Sequence, residues 1–132
     1  MTENDARDYL LAMYDRLLRQ TPDSTTLDHF IAEDFVAHSD GVTMNRQEFE
    51  GHLNLLREKL SKFEVQMEKI VSSPDCIAAL FAVDFFTAEG THSKIQVNAF
   101  YFMRNEQICR LDELTQLISG REEDRGLVAR SS

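Results

Sequence analysis

The stretch that decides the fold runs from residue 76 to residue 118 and reads CIAALFAVDFFTAEGTHSKIQVNAFYFMRNEQICRLDELTQLI. It contains three runs rich in β-branched and aromatic residues, which are typical of β-strands: Cys76–Thr87, Lys94–Met103 and Gln107–Ile118. Short polar segments separate the runs and favour chain reversals. A fourth such run, Phe63–Val71, comes directly before them. Together the four runs predict a continuous antiparallel meander.

Helical patterns occupy the sequence before these strands. Apolar residues recur every three or four positions from Asp5 to Arg19, again from about Thr25 or Thr26, and again after Asn45, which can cap the third helix. A short extended run, residues 35–38, lies between the second and third helices. This order predicts an α+β domain in which a cone-shaped, curved antiparallel sheet wraps around three N-terminal helices. Such a cone can enclose a small-molecule pocket.

Length and charge limit the classes of protein to which the chain can belong. The 132 residues predict a single domain, 1–120, and a polar tail, 121–132, that we expect to be disordered. The net charge of −9 argues against a nucleic-acid partner, because nucleic-acid binding needs clustered lysine and arginine. No apolar run approaches the roughly 20 residues that cross a bilayer, so no membrane association is expected.

The chain start and the cysteines indicate the compartment. The first residues are acidic and polar and do not resemble a signal peptide. Cys76 and Cys109 lie far apart without a CxxC spacing, which is typical of free thiols in a reducing compartment. Both features predict a cytoplasmic protein. No two histidines or cysteines have the spacing of metal ligands, so no metal is expected.

Alternation of side chains along the strands divides the sheet residues into two sets, one for each face. One set contains Asp84, Asn98 and Glu113, which lie opposite one another if the last two reversals are tight. They would then form a polar row on an otherwise apolar face. A carboxyl group there should have a raised pKa, because burial disfavours its charged form. The alternatives are a row that faces solvent, or a one-residue bulge that moves one member to the other face.

The second set of sheet residues is also apolar. A sheet with one solvated face would show one clearly polar set. Two apolar faces predict that one face packs on the helices and that the other packs on a second copy of the protein. We therefore expect a homodimer through the sheet face whose centre contains Phe81, Val83, Phe85 and Val97.

Three segments and the order of elements resemble a known family. The segment IAEDFVAH at residues 31–38, the helix start NRQEF at residues 45–49 and the strand QICRLDE at residues 107–113 resemble the nuclear transport factor 2-like superfamily, in particular its SnoaL-like branch. The resemblance covers the chain up to Gly120. It implies a cystatin-like cone around an apolar pocket, dimerisation through the sheet, and no metal or organic cofactor. Enzymes of the superfamily include ketosteroid isomerases, epoxide hydrolases, dehydratases and polyketide cyclases, while other members only bind ligands.

The resemblance also suggests site residues. His38 matches a histidine that SnoaL-like sequences often have at the pocket rim, and Glu113 matches an acidic position on their final strand. Asn98 falls where steroid isomerases have the protonated aspartate that donates to the developing oxyanion, and an amide can donate the same hydrogen bond. Tyr14 stands on the first helix near the place of their oxyanion-binding tyrosine.

The identity of the acid that faces the pocket stays open at this point. Steroid isomerases keep their base on the short strand, where this chain has Ser39, and Asp40 follows in an Asp-Gly pair that favours a turn. This departure argues against steroid isomerisation. Asp112 is expected to pair with Arg110 or a neighbour on the outer face, and it would replace Glu113 if the register slipped by one residue.

Two functions are compatible with this pattern. The first is cofactor-independent isomerase, cyclase or lyase chemistry on a small apolar carbonyl compound. Glu113, Asp84 or His38 would move a proton, while Asn98 and Tyr14 stabilise the enolate oxygen. The second is a non-catalytic ligand-binding or protein-interaction module of the same fold. A buried carboxyl group near an Asn or Tyr donor would favour the enzyme, and a pocket filled by its own side chains would favour the module.

Overall fold

The structure is a computed structural model that describes residues 1–19 and 24–120. The three predicted helices are confirmed, and the first of them ends in a π-helical turn. The helical elements are α1 (Glu3–Tyr14), the π-helical turn (Asp15–Arg19), α2 (Ser24–Phe30) and α3 (Arg46–Lys59). No helix in the described ranges is long and apolar enough to span a membrane. The predicted tail, 121–132, lies outside the described residues.

Six strands form one curved, unclosed sheet, which confirms the predicted α+β class. The strands are β1 (Ile31–Ser39), β2 (Val42–Asn45), β3 (Leu60–Ser73), β4 (Cys76–Thr87), β5 (His92–Arg104) and β6 (Gln107–Ser119). Their order in the sheet is β2-β1-β6-β5-β4-β3. The predicted meander corresponds to β3–β6, and the short extended run is part of β1. Strand β1 pairs in parallel with β6 and brings the N-terminal segment beside the end of the meander.

Two tight reversals have backbone angles in the left-handed region. Asp40 and Gly41 connect β1 to β2 with φ of 48° and 84°, as expected for an Asp-Gly turn. Asn105 and Glu106 connect β5 to β6 with φ of 53° and 65°. Asparagine tolerates this region, whereas glutamate rarely adopts it. The Glu106 carbonyl accepts a hydrogen bond from the hydroxyl of Tyr9 at 3.1 Å, which ties this strained turn to α1.

Helix α3 begins where the sequence predicts. The side chain of Asn45 accepts a hydrogen bond from the backbone N–H of Glu48 at 2.8 Å, and the Glu48 carboxylate accepts one from the backbone N–H of Asn45 at 3.0 Å. This reciprocal pair satisfies two backbone donors that a helix start would otherwise leave without partners. The helix then buries His52, Leu53 and Leu56 over the sheet.

The inner face of the sheet packs against the helices. The four residues at the centre of the predicted dimer face lie on this side, and each is at most 7 % exposed: Phe81, Val83, Phe85 and Val97. The prediction that a second copy covers them is therefore wrong, because the chain's own helices do so. The period of a strand separates its two faces, but it does not indicate which of two apolar faces the helices will cover.

A one-residue bulge interrupts the pairing of β5 with β6. Phe102 pairs with Arg110, and Met103 pairs with Ile108, so Cys109 is the extra residue. A bulge reverses the phase of one strand relative to its neighbour. From this point to Leu117, each β6 side chain points to the opposite face from the one that tight, bulge-free pairing would give. A second register shift follows, since Leu117 pairs with Ile95 and Ser119 pairs with Lys94.

The bulge decides which acid faces inward. Glu113 lies opposite Ala99 instead of Asn98, so it shares the inner face. Asp84 and Asn98 belong to the outer face, where Asn98 is exposed. The predicted polar row therefore does not form, and the bulge that the sequence left as an alternative is present. Asp112 lies on the outer face and accepts a hydrogen bond from Arg110 at 3.0 Å, as predicted.

The outer face of the sheet is apolar in part and uncovered in the monomer. Its exposed large residues include Phe100, 51 % exposed, and Leu114, 65 % exposed. Val71 of β3 and Ile118 of β6 are exposed to a similar degree. Large apolar side chains on one sheet face are a feature of surfaces that contact a partner.

Candidate active site

A cavity of about 70 Å³ lies between the inner sheet face and the helices. Most of its walls are leucine, isoleucine, valine, methionine and phenylalanine side chains. Its polar lining residues come from α1, α3, β5 and β6: Tyr14, His52, Tyr101, Glu113 and Thr115. No lysine or arginine is among the described residues that line it. The cavity therefore suits an apolar molecule with one or two polar atoms.

Glu113 is held by the strand beside it. Ser39 of β1 lies opposite Glu113 in the parallel pairing of β1 with β6. The hydroxyl of Ser39, which is fully buried, donates a hydrogen bond to Oε1 of Glu113 at 2.8 Å. The next backbone N–H, that of Asp40, donates to the carbonyl of Glu113 at 3.1 Å. Side chain and backbone of Glu113 are thus both fixed by β1.

The surroundings of Glu113 change its acidity. Burial raises the pKa of the Glu113 carboxyl from 4.5 to about 7, the nearby charge of Asp40 also raises it, and the hydrogen bond from Ser39 lowers it. Asp40 is itself tied to β6, since it accepts hydrogen bonds from the backbone N–H of Thr115 at 2.8 Å and from its hydroxyl at 2.5 Å. Glu113 keeps some accessible surface because it lines the cavity. The predicted rise in its pKa is confirmed.

Two tyrosine hydroxyls meet in the same cavity. The hydroxyls of Tyr14 and Tyr101 are 2.5 Å apart, and either can be the donor. Burial is the main cause that raises the pKa of both phenols, and the charge of Glu113 raises them further. Both hydroxyls therefore stay protonated near neutral pH. One O–H proton is used in the bond between them, which leaves the other available to a ligand oxygen.

Tyr101 and Glu113 lie on neighbouring strands of one face. Ala99 is directly opposite Glu113, and Tyr101 is two residues farther along β5. Diagonal neighbours of this kind are roughly 7–8 Å apart, a separation that a small ligand can bridge. The cavity thus combines a proton acceptor with a neutral donor for an oxygen atom. In residues 1–19 and 24–120 no three His, Cys, Asp or Glu side chains come together as a metal site.

Solved structures share this architecture. An NTF2-like protein from Anabaena variabilis matches 90 % of the chain with a TM-score of 0.71 and 14 % identity, over 95 % of its own length. A candidate isomerase from Rhodopseudomonas palustris has a TM-score of 0.73 at 14 % identity, with coverages of 88 % and 92 %. The chain has the nuclear transport factor 2-like fold. A candidate SnoaL-like polyketide cyclase from Jannaschia sp. CCS1 matches too, with a TM-score of 0.70 at 11 % identity over 86 % of this chain and 87 % of its own.

The nuclear transport factor 2-like fold confirms the fold that the sequence resemblance implied, and at these identities the likeness establishes the fold alone. Among curated proteins, the uncharacterized protein C11D3.04c of Schizosaccharomyces pombe is 25 % identical over 123 residues, which cover 93 % of this chain and 95 % of that protein. No family model matches the chain. The activity must therefore be argued from the site itself.

Within the nuclear transport factor 2-like cone, the predicted site residues separate into two groups. Tyr14 and Glu113 line the cavity together. His38 points away from the cavity. Its ring nitrogen Nδ1 lies 2.9 Å from the hydroxyl oxygen Oγ1 of Thr43. Asn98 was predicted to donate a hydrogen bond inside the pocket, but its side chain is exposed on the outer face of the sheet.

Asp84 also lies outside the cavity, on the outer sheet face. It accepts hydrogen bonds from Gln66 and pairs with His92, both at 2.9 Å, and the bond with His92 is the main cause that lowers the pKa of its carboxyl. Phe86 stacks on the ring of His92 with centroids 4.4 Å apart. The polar contacts of Asp84 are those of a surface network.

Three residues of the site were not predicted. Tyr101 was assigned to the apolar set that was expected to form the dimer face. His52 was not proposed as a site residue, yet it is only 4 % exposed and lines the cavity. Ser39 was noted only as the residue at the isomerases' base position. The sequence left a one-residue bulge open as an alternative. A bulge at Cys109 places Tyr101 and Glu113 on the same face, so that alternative was the one that could have identified them.

Proposed function

We propose that the protein is a cofactor-independent isomerase, cyclase or lyase that moves a proton on a small, apolar carbonyl compound. One observation carries the proposal. Glu113 has a pKa of about 7 in an apolar cavity that also contains the hydroxyls of Tyr14 and Tyr101. A general base is most effective when its pKa is near the working pH. The shared fold of solved isomerase and cyclase candidates supports the same class of chemistry.

The proposed reaction begins when ionised Glu113 takes a proton from the carbon next to the substrate carbonyl. The electron pair of the broken C–H bond forms the C=C bond of an enolate, and negative charge develops on the carbonyl oxygen. A hydroxyl of the tyrosine pair donates a hydrogen bond to this oxygen, in a low-dielectric site where such a bond has a large effect. In a β,γ-unsaturated substrate this enolate is a dienolate, and Glu113 then returns the proton to the γ-carbon. The remaining C=C bond is then conjugated with the carbonyl, and the Glu113 carboxylate is restored.

Substrate size is limited in the present conformation. About 70 Å³ is several times the roughly 10–15 Å³ that a cavity needs to hold one water molecule, so the present conformation accommodates a small ligand. Larger substrates require half-buried lining side chains such as Leu18, Phe49 and Leu60 to move aside. The apolar walls favour a hydrocarbon body, and the absence of cations among the described lining residues disfavours an anionic group deep in the cavity.

Hydrogen–deuterium exchange tests the proposal without knowledge of the natural substrate. Cyclopentanone in D₂O should exchange its α-hydrogens faster with the protein than without it, as followed by proton NMR. Glu113→Gln keeps the shape of the side chain and should slow the catalysed exchange about 100-fold or more. Tyr14→Phe should slow it about tenfold or more, since one oxyanion donor is lost. The wild-type rate should rise with pH and level off above about 7.

The control is Asp84→Asn, which removes a carboxylate from the outer face and should leave the rate unchanged. If wild type and Glu113→Gln exchange equally while cyclopentanone still binds, the protein is a non-catalytic ligand-binding module. Mass spectrometry of small molecules that copurify with the protein would then identify what it holds.

We also propose a homodimer that forms through the outer sheet face. The exposed side chains of Phe100 and Leu114 support this surface, which replaces the inner face that the sequence suggested. A cytoplasmic location stays a prediction that is compatible with the two free cysteines, Cys76 and Cys109.

A further inference from the structure

A groove lies beside the cavity, where the π-helical turn, the end of α3 and the start of β3 meet. It has a volume of about 420 Å³. Eight described residues line it: Leu18, Arg19, Leu56, Arg57, Leu60, Ser61, Lys62 and Phe63. Three of the eight are cationic and none is acidic. In a chain of net charge −9, this concentration of positive charge is unusual.

The groove and the cavity are separated by one layer of side chains. The residues that line both are Leu18, Leu56, Leu60 and Phe63. Leu18 and Leu60 are half-buried, whereas the other two are buried. Movement of Leu18 and Leu60 would connect the cavity with the groove. The cations therefore surround the place where a ligand body can enter.

The arginines are held in position by backbone carbonyls. Arg57 donates hydrogen bonds to the carbonyl of Leu17 and to the side-chain oxygen of Asn54, which are both neutral. Arg19 donates to the carbonyl of Phe63 at 2.7 Å, and its guanidinium lies 4.5 Å from the ring centroid of the same residue. A guanidinium held in this way loses little further freedom when it binds an anion.

The three cations differ in how far their charge is compensated. Arg19 pairs with Asp15 at 3.1 Å and Lys62 pairs with Glu64 at 3.2 Å. The hydrogen bonds of Arg57 go to neutral oxygens, and no carboxylate of residues 1–19 and 24–120 forms an ion pair with it, although the charge of Glu50 acts on it from a greater distance. Arg57 is therefore the strongest candidate to bind an anion in the groove.

We propose that this groove binds the anionic group of an amphipathic substrate whose apolar, carbonyl-bearing part enters the cavity. The inference rests on the proposed function and adds the substrate class: a carboxylate, sulfonate or phosphate joined to a hydrocarbon body. The charge distribution sets the orientation. Ionised Glu113 lines the cavity and repels an anion there, whereas Arg57 lines the groove and attracts one.

Two fluorescent probes with the same apolar body test this assignment. The anion 8-anilinonaphthalene-1-sulfonate and the uncharged N-phenyl-1-naphthylamine are titrated into wild type, Arg57→Gln, Arg19→Gln and Lys59→Gln. Lys59 lies in the last turn of α3 but does not line the groove, so its substitution is a control of equal charge change. Arg57→Gln should weaken binding of the sulfonate about fivefold to tenfold. Arg19→Gln should weaken it less, because Asp15 already pairs with Arg19, and both substitutions should reduce its salt dependence. The Lys59 control and all affinities for the uncharged probe should stay unchanged.

Each other outcome contradicts the inference in a distinct way. Equal weakening of both probes by Arg57→Gln would mean that Arg57 only shapes the groove. Far-ultraviolet circular dichroism shows whether the Arg57→Gln protein is folded, and Arg19→Gln tests the anion site at a second position. Binding of both probes without preference for the sulfonate would overturn the anion site and leave the proposed function intact. A wild-type protein that binds neither probe would contradict the anion site, while cyclopentanone exchange would still decide the proposed function.

Discussion

At the scale of single residues, the site depends on two kinds of side chain, phenol and carboxyl, whose pKa values burial raises with different consequences. Burial keeps the phenols of Tyr14 and Tyr101 neutral, so they serve as hydrogen-bond donors. The same effect brings the carboxyl of Glu113 to a pKa of about 7, where it can both take and return a proton. A base and an oxyanion donor thus arise from one physical cause, the exclusion of water from the cavity.

The raised pKa of Glu113 predicts a stability that depends on pH. Below about pH 4.5 the side chain is protonated in both folded and unfolded chains, and Glu113→Gln should change the free energy of unfolding little. As pH rises towards 7, the unfolded chain ionises first, so wild type loses stability. Above about pH 7 the variant should be more stable by about 2–3 kcal/mol. Urea denaturation at pH 5 and pH 8 measures the difference.

Asp84→Asn is the matched control, because the pKa of Asp84 is lowered by its hydrogen bonds with His92 and Gln66. Its ionised form stabilises the fold at pH values above its unfolded pKa of 3.8, so the substitution should destabilise the protein at pH 5 and at pH 8. If Glu113→Gln lowers stability at pH 8 as the control does, the carboxyl is not desolvated and the site has been misassigned.

At the scale of elements, the bulge in β6 and the start of α3 have the largest effect on the site. The bulge at Cys109 turns Glu113 inward, and the parallel partner β1 supplies Ser39 to hold it. Helix α3 closes the cavity from the other side with His52, Leu53 and Leu56. The start of α3 is fixed by the reciprocal hydrogen bonds between Asn45 and Glu48, which are only three residues apart in the sequence.

The capping pair at the start of α3 gives a prediction of its own. Asn45→Ala removes the acceptor for the backbone N–H of Glu48 and should reduce the free energy of unfolding by about 1 kcal/mol. Gln47→Ala, an exposed position in the same first turn, should change it by only a few tenths. Urea denaturation of the three proteins at pH 7 measures this. Equal effects of the two substitutions would argue that the cap contributes nothing.

At the scale of the whole molecule, the outer sheet face gives a prediction about assembly. Sedimentation at micromolar concentration should give twice the chain mass, because Phe100 and Leu114 would otherwise remain exposed on one face. Leu114→Lys should give a folded monomer, since a charge would be desolvated in the interface. Val97→Asp, at a position that is only 2 % exposed, should unfold the protein instead. A wild-type monomer would contradict this interface.

The sequence by itself determined the elements of this protein. The alternation in β3–β6, the polar reversals between them and the cap at Asn45 act over short distances along the chain, so the meander, the helices and the fold class follow from local patterns. The same patterns indicated that both sheet faces are apolar. They also identified Tyr14 and Glu113, with help from the family resemblance.

Only the tertiary structure decided which residues meet. Ser39 and Glu113 are 74 residues apart in sequence, and Tyr14 and Tyr101 are 87 apart. Their contacts depend on the parallel pairing of β1 with β6 and on the docking of α1. The period of a strand defines the relative phase of its side chains only up to a bulge, and a single extra residue at Cys109 reverses that phase. For this reason Glu113 faces the cavity while Asp84 and Asn98 face outward.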